Sequence, residues 1–233
     1  MQYVLRSERS FMFHQQKTNT IYKKNIIIAN LLLMMIFMLI TDQAIYLKNI
    51  TWFDLPIIHF VQHFALPTIT KLMNKISFLG SDIFLAMSSL CIGIYLLYLR
   101  RFQLLVTFST CMIFSGVFNF ILKNIFERPR PEILRLGKAT GYSFPSGHAM
   151  AGICFYLFLA FMITLDFKKI FKKIIAYATA VCFIIIIGIS RIYLGVHYPS
   201  DVLAGYTFGA AWFLCCITLY FWLLHRHTIN QSF

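Results

Sequence analysis

Six stretches of this chain carry no Lys, Arg, Asp or Glu: residues 25–41, 83–99, 102–122, 149–165, 174–190 and 202–224, each between 17 and 23 residues long. A bilayer core about 30 Å thick needs roughly 17–25 apolar residues per helical span. Apolar residues make up 59% of the chain and charged residues 12%, where soluble domains run at about 45–50% and about 25%. That composition excludes a disordered chain and argues against a soluble domain. It predicts an all-α, polytopic membrane helix bundle with six transmembrane helices. No small-residue cleavage site follows the first stretch, where Thr41-Asp42-Gln43 stand, so it reads as a retained span.

Residues 55–79 form a further apolar stretch of a different kind. Ile69, Leu72, Met73, Ile76 and Leu79 follow helical spacing, with Lys71, Asn74 and Lys75 opposite, while His59, Gln62, His63 and Pro67 interrupt the first half. This pattern predicts a helix lying in the membrane interface between the first and second spans. The division into domains is then a cytoplasmic N-terminal tail over 1–24 and a membrane domain over 25–225.

Charge orients the bundle. With six spans and both termini inside, 12 of the 21 basic residues fall on the cytoplasmic side, and the short basic loops at Arg100-Arg101 and at Lys168, Lys169, Lys172 and Lys173 both land there. The net charge of +13 does not signal nucleic-acid binding, because the basic residues lie between apolar runs and form no stripe on a water-facing surface. The six cysteines all fall within predicted spans, so neither a disulfide framework nor a thiolate metal site is expected. His59 and His63, four apart, have metal-ligand spacing, but a polar rim on the interfacial helix accounts for them.

The basic residues left outside are clustered, against the usual bias. The first cluster runs Lys123-Asn124-Ile125-Phe126-Glu127-Arg128-Pro129-Arg130-Pro131. A Lys point charge and an Arg fork are suited to phosphate, although a loop that binds lipid headgroups has the same composition. The second, Phe144-Pro145-Ser146-Gly147-His148, opens the fourth span. Ser146 is placed to cap that helix, Gly147 allows close backbone approach, and the helix N-terminus favours an anion. The third is Ser190-Arg191, then His197, then Asp201. A carboxylate on one ring nitrogen leaves the other free to attack, although such a pair is also a common structural feature. All three clusters sit at the outer ends of spans three to six, an inventory suited to phosphoryl transfer through a histidine.

These residues resemble the type 2 phosphatidic acid phosphatases, membrane lipid phosphatases related to vanadium haloperoxidases. Lys123 with Arg130-Pro131 matches Lys-x6-Arg-Pro, Pro145 to His148 matches Pro-Ser-Gly-His, and Ser190-Arg191 with His197 and Asp201 matches Ser-Arg-x5-His-x3-Asp. The resemblance implies that His197 is the nucleophile, Asp201 orients it, and His148 is the general acid. It implies that Lys123, Arg130, Ser146, Gly147 and Arg191 bind phosphate, with no metal and no cofactor. The expected substrate is a phosphorylated membrane lipid: undecaprenyl diphosphate, phosphatidylglycerol phosphate, phosphatidic acid or a lipid A phosphate. The expected location is a bacterial inner membrane with a periplasmic active site. Phosphoryl transfer between lipids and non-catalytic lipid-phosphate carriage are the alternatives. Arg128, Arg135, Lys138 and Tyr142 are candidate headgroup contacts.

Overall fold

Peptide groups in hydrocarbon have no water to bond, so a chain this apolar satisfies its backbone internally. The computed structural model describes residues 24–47 and 50–230, with side chains to His225, and these residues contain helices and loops but no strand. The helices are α1 (Lys24–Tyr46), α2 (Thr51–Gln62), α3 (Pro67–Phe78), α4 (Asp82–Tyr98), α5 (Phe102–Phe126), α6 (Gly147–Leu165), α7 (Ile170–Tyr193) and α8 (Pro199–Asn230). The tail expected over 1–24 lies, Lys24 apart, outside the described residues.

Five of these helices, α1, α5, α6, α7 and α8, are long and apolar enough to cross a membrane. The span expected over 83–99 is α4, which passes the same test only together with α3, to which it is joined at a 41° bend. The single interfacial helix expected over 55–79 is two helices. Leu66, before Pro67, is extended (φ −119°, ψ 149°), and Pro67 then starts α3. A residue preceding proline is pushed out of the helical region, and a proline fits best in the first turn of a new helix.

The bundle is built around α6, whose buried residues run from Ala149 to Thr164. Helices α5, α7 and α8 pack around it, and α4 packs on α5. Phe108 of α5 sits against Phe155 and Phe158 of α6, with ring centroids 6.2 and 5.4 Å apart. Helices α6 and α8 approach each other backbone to backbone. A Cβ on Gly205 would lie 2.7 Å from the Ser146 carbonyl oxygen, and one on Gly209 would lie 2.8 Å from that of Met150. Two glycines four apart form the small-residue seam that lets membrane helices touch backbone to backbone. Outside, α1 clips onto α8 through Asn30 Nδ2, which donates to the Ala211 carbonyl at 3.1 Å.

The two ends of the bundle differ. At one end the exposed pair Arg101–Asp166 (3.3 Å) joins the start of α5 to the end of α6. At the other end the C-termini of α5 and α7 meet the N-termini of α6 and α8, with α2 and α3 packed against α7.

Candidate active site

Every residue singled out by the three sequence clusters lies at this second end. Lys123 is in the last turn of α5, which runs on to Phe126 and stops at Glu127 in the left-handed region (φ 45°). Arg191 is likewise inside α7, in its last turn, one residue past the run expected over 174–190. Ser146, Gly147 and His148 open α6, and Pro199 and Asp201 open α8. His197 lies in the link between α7 and α8.

His197 is 2% exposed and Asp201 is fully buried. His197 Nδ1 lies 3.4 Å from Asp201 Oδ2, an oxygen that also accepts from the Tyr198 backbone N–H at 2.9 Å. An ionised carboxylate only accepts, so this contact assigns the proton to Nδ1 and makes Nε2 the acceptor nitrogen. Nε2 lies 3.4 Å from Arg130 Nη1. Burial pushes the His197 pKa down to about 4, with Arg191 and Arg130 adding to the effect and Asp201 opposing it. At neutral pH the ring is therefore uncharged.

Arg130 is held by backbone oxygens and Arg191 by a neutral hydroxyl. Arg130 donates to the carbonyls of Gly141 (2.9 Å), Val196 (2.7 Å), Thr140 (2.8 Å) and Tyr142 (3.2 Å). Carbonyls fix the guanidinium without cancelling its charge. Arg191 donates through Nη1 to Ser77 Oγ at 2.5 Å, and its buried Nε has no hydrogen-bond partner. Lys123 interacts electrostatically with Arg130, Arg191 and Asp201, and His148 with Lys123, Arg130, Arg191 and His197.

Ser146 occupies the N-cap position of α6, yet its hydroxyl makes no capping bond and is buried without a partner. The Gly147 side lies against Asn119, where an added Cβ would meet Oδ1 at 2.9 Å; Asn119 Nδ2 in turn donates to the Pro145 carbonyl at 3.1 Å. A buried hydroxyl and a buried guanidinium N–H without partners are costly, and both lie in residues matched by the phosphate-binding motifs.

Arg128, a candidate headgroup contact in the sequence, has internal partners in the fold. It pairs with Asp54 (2.9 Å) and Asp201 (2.6 Å), and its guanidinium lies 4.1 Å from the centre of the Tyr198 ring. Burial opposes its charge, but Asp201 and Asp54 outweigh that and hold its pKa above the ordinary arginine value. Arg135 and Lys138 are exposed, as are His59 and His63. Among the described residues no three His, Cys, Asp or Glu side chains converge as a metal site requires.

Residues 104–225 match the PAP2 superfamily. The chain belongs to that family. Phosphatidylglycerophosphatase B of Bacillus subtilis (strain 168) is 32% identical over 180 residues, covering 75% of this chain and 86% of that protein. Lipid A 1-phosphatase of Rhizobium etli is 34% identical over 114 residues, covering 45% of this chain and 44% of the relative. The crystal structure of a transmembrane PAP2 type phosphatidylglycerolphosphate phosphatase from Bacillus subtilis superposes with a TM-score of 0.72 at 29% identity, covering 81% of this chain and 94% of that one. This PAP2 protein is thus an all-helical integral membrane protein, matched over most of its length.

Four site neighbours in this PAP2 chain escaped the sequence reading: Asp54, Ser77, Asn119 and Ser200. Asp54 carried a signal, being one of only eight acids and lying beside a stretch read as membrane-bound, where an ionisable group needs a partner. Ser77, Asn119 and Ser200 carried none.

Proposed function

We propose that this chain is a membrane lipid phosphatase that hydrolyses a phosphate monoester or diphosphate through a phosphohistidine. The observation that carries the reading is the uncharged, buried His197, oriented by Asp201, with Lys123, Arg130 and Arg191 around it and the unpartnered Ser146 hydroxyl and Arg191 Nε beside it. His197 Nε2 attacks phosphorus, the bond from phosphorus to the lipid oxygen breaks, and His148 gives that oxygen a proton. His148 then takes a proton from water as the water oxygen attacks the phosphohistidine. Inorganic phosphate leaves and His197 is restored. Charge on the transferred phosphoryl group is met by Lys123, Arg130, Arg191 and the N-terminus of α6, so cationic side chains supply what a metal often does.

The substrate we favour is phosphatidylglycerol phosphate. Support comes from the names of the relative and of the solved structure that cover most of this chain. The site is proposed to face the periplasm of a bacterial inner membrane. In support, Arg100, Arg101 and the lysines at 168, 169, 172 and 173 all lie at the opposite end of the bundle, where the positive-inside bias puts the cytoplasm.

The test is phosphate release by detergent-purified protein from phosphatidylglycerol phosphate, undecaprenyl diphosphate, phosphatidic acid and lipid A, with excess chelator and a His197→Ala control. Chelator-resistant release that the mutation abolishes is expected, fastest with phosphatidylglycerol phosphate. Release that survives His197→Ala refutes the histidine mechanism, and release stopped by chelator refutes metal independence. Lipid binding without release favours carriage, and appearance of label on a second lipid favours transfer.

A further inference from the structure

Asp201 presents its two oxygens in different directions. Oδ2 serves Tyr198 N–H and His197 Nδ1, whereas Oδ1 accepts from Arg128 Nη1. The terminal torsion of a carboxylate is soft, so what holds Oδ1 decides where Oδ2 points. Arg128 is itself held at both ends of its fork: Nη1 also donates to Ser200 Oγ at 2.8 Å, and Nη2 donates to Asp54 Oδ2 at 2.9 Å. Asp54, 1% exposed on α2, further accepts from Ser200 N–H (2.9 Å) and Ser200 Oγ (2.7 Å). Two donors and an arginine around one buried carboxylate are the partners that an ionised Asp54 needs. A chain of contacts therefore runs from α2 through the loop after α5 to the first turn of α8, and ends on the histidine.

We infer that Asp54 and Arg128 are positioning residues: they hold the Asp201 carboxylate by Oδ1 so that its other oxygen, Oδ2, meets His197 Nδ1. This rests on the proposed histidine mechanism. Neither residue stands at a fixed position of the three motifs, and among the described residues α2 reaches the catalytic pair through Arg128 and Ser200. Arg128 also sets the charge His197 feels. It offsets Asp201, so without it the full negative charge of Asp201, and that of Asp54 behind it, favours the imidazolium. The other charged or titratable groups facing His197 are Arg191 from α7, Arg130 from the loop after α5 and His148 from α6, and Lys123 from α5 faces His148 and Asp201 in turn.

The test is steady-state kinetics on Arg128→Gln, Arg128→Lys, Asp54→Asn and the double variant Asp54→Asn/Arg128→Gln, with wild type and His197→Ala beside them. The same proteins are titrated by 15N NMR of the His197 imidazole in detergent. Arg128→Gln is expected to lower kcat roughly 10–100-fold, the range for groups that orient a catalytic ligand, with KM within about threefold. The acidic limb of kcat/KM and the NMR midpoint both rise by about one pH unit, as for loss of a nearby charge. Asp54→Asn costs less, and the double variant costs no more than Arg128→Gln, because Asp54 acts through Arg128. Arg128→Lys recovers only part, since a lysine cannot reach both acids with a fixed fork. Folded variants with kcat within twofold of wild type and an unmoved NMR midpoint overturn the inference, as does a rise in KM alone. Wild-type protein that releases no phosphate refutes the hydrolase reading instead, and the NMR midpoint still decides the positioning role.

Discussion

Arg191 Nη1 donates to Ser77 Oγ at 2.5 Å, and this contact joins the last turn of α7 to the last turn of α3. It anchors one arm of the guanidinium, while Nε is buried without a partner. In the proposed mechanism Nε meets a phosphate oxygen. Ser77→Ala removes the anchor and leaves a second donor unpaired, a cost of about 1–3 kcal/mol. The expected result is a KM raised roughly 5–10-fold with kcat within about threefold. Arg191→Lys, which has no Nε, is expected to lose about 100-fold in kcat/KM. Kinetics with one lipid and competitive inhibition by inorganic phosphate check both. An unchanged inhibition constant in Ser77→Ala would sink the anchoring role.

His197 gives a pH profile with a defined sign. Burial depresses its pKa to about 4, and only the unprotonated ring attacks. The acidic limb of kcat/KM is therefore expected near pH 4, well below the ordinary histidine value of about 6.5. The same shift links to stability. Between about 6.5 and 4 the unfolded chain takes up a proton that the folded chain refuses, so the contribution is full above pH 6.5 and is lost as pH falls. Thermal melts of wild type and His197→Gln across this window should converge toward neutral pH only in their slope, with the wild type falling more steeply on acidification. A limb near pH 6.5 contradicts a buried, uncharged His197.

Much of this arrangement was readable from the chain because it rests on local signals. Runs free of charge gave the long helices, and Lys123, Arg130, His148, Arg191, His197 and Asp201 stood out as polar groups at the ends of those runs. What escaped depends on contacts between residues far apart. Asp54 meets Ser200 across 146 positions and Ser77 meets Arg191 across 114, and no spacing rule reaches that far. The split of residues 55–79 was partly visible in Pro67, whose effect on Leu66 is local. The Gly205–Gly209 seam was visible as a four-residue repeat, but it reads equally as two residues of a lipid-facing helix until α6 is known to lie against it.

The far end of the bundle supplies a contrast. Arg101 and Asp166 pair at 3.3 Å, but their side chains are 42% and 68% exposed. Exposed pairs are worth about 0–1 kcal/mol. Asp166→Asn is expected to leave kcat/KM within about twofold and to move the melting temperature by no more than a degree or two. A loss of activity comparable with that of Ser77→Ala would mean that the two ends are coupled through α6, and the site would no longer be local to one end.

Gly80 connects the α3–α4 turn to His148, the proposed general acid. An added Cβ there would lie 2.6 Å from Ile187 Cγ2 and 3.4 Å from both Cβ and Cδ2 of His148. Ile187 is 1% exposed and has nowhere to go, so the turn must retreat. That movement pulls Ser77, three residues earlier, away from Arg191 and removes the surface against which His148 rests. Overpacking of this kind costs about 1–3 kcal/mol, and Gly80→Ala is expected to lower kcat about tenfold while raising KM. Ile187→Ala alone opens a cavity and destabilises the protein. If crowding is the cause, the double variant Gly80→Ala/Ile187→Ala is more active than Gly80→Ala, even though it combines two damaging changes. A double variant with strictly multiplicative losses would show that Gly80 matters for the flexibility of the turn and not for the space beside His148.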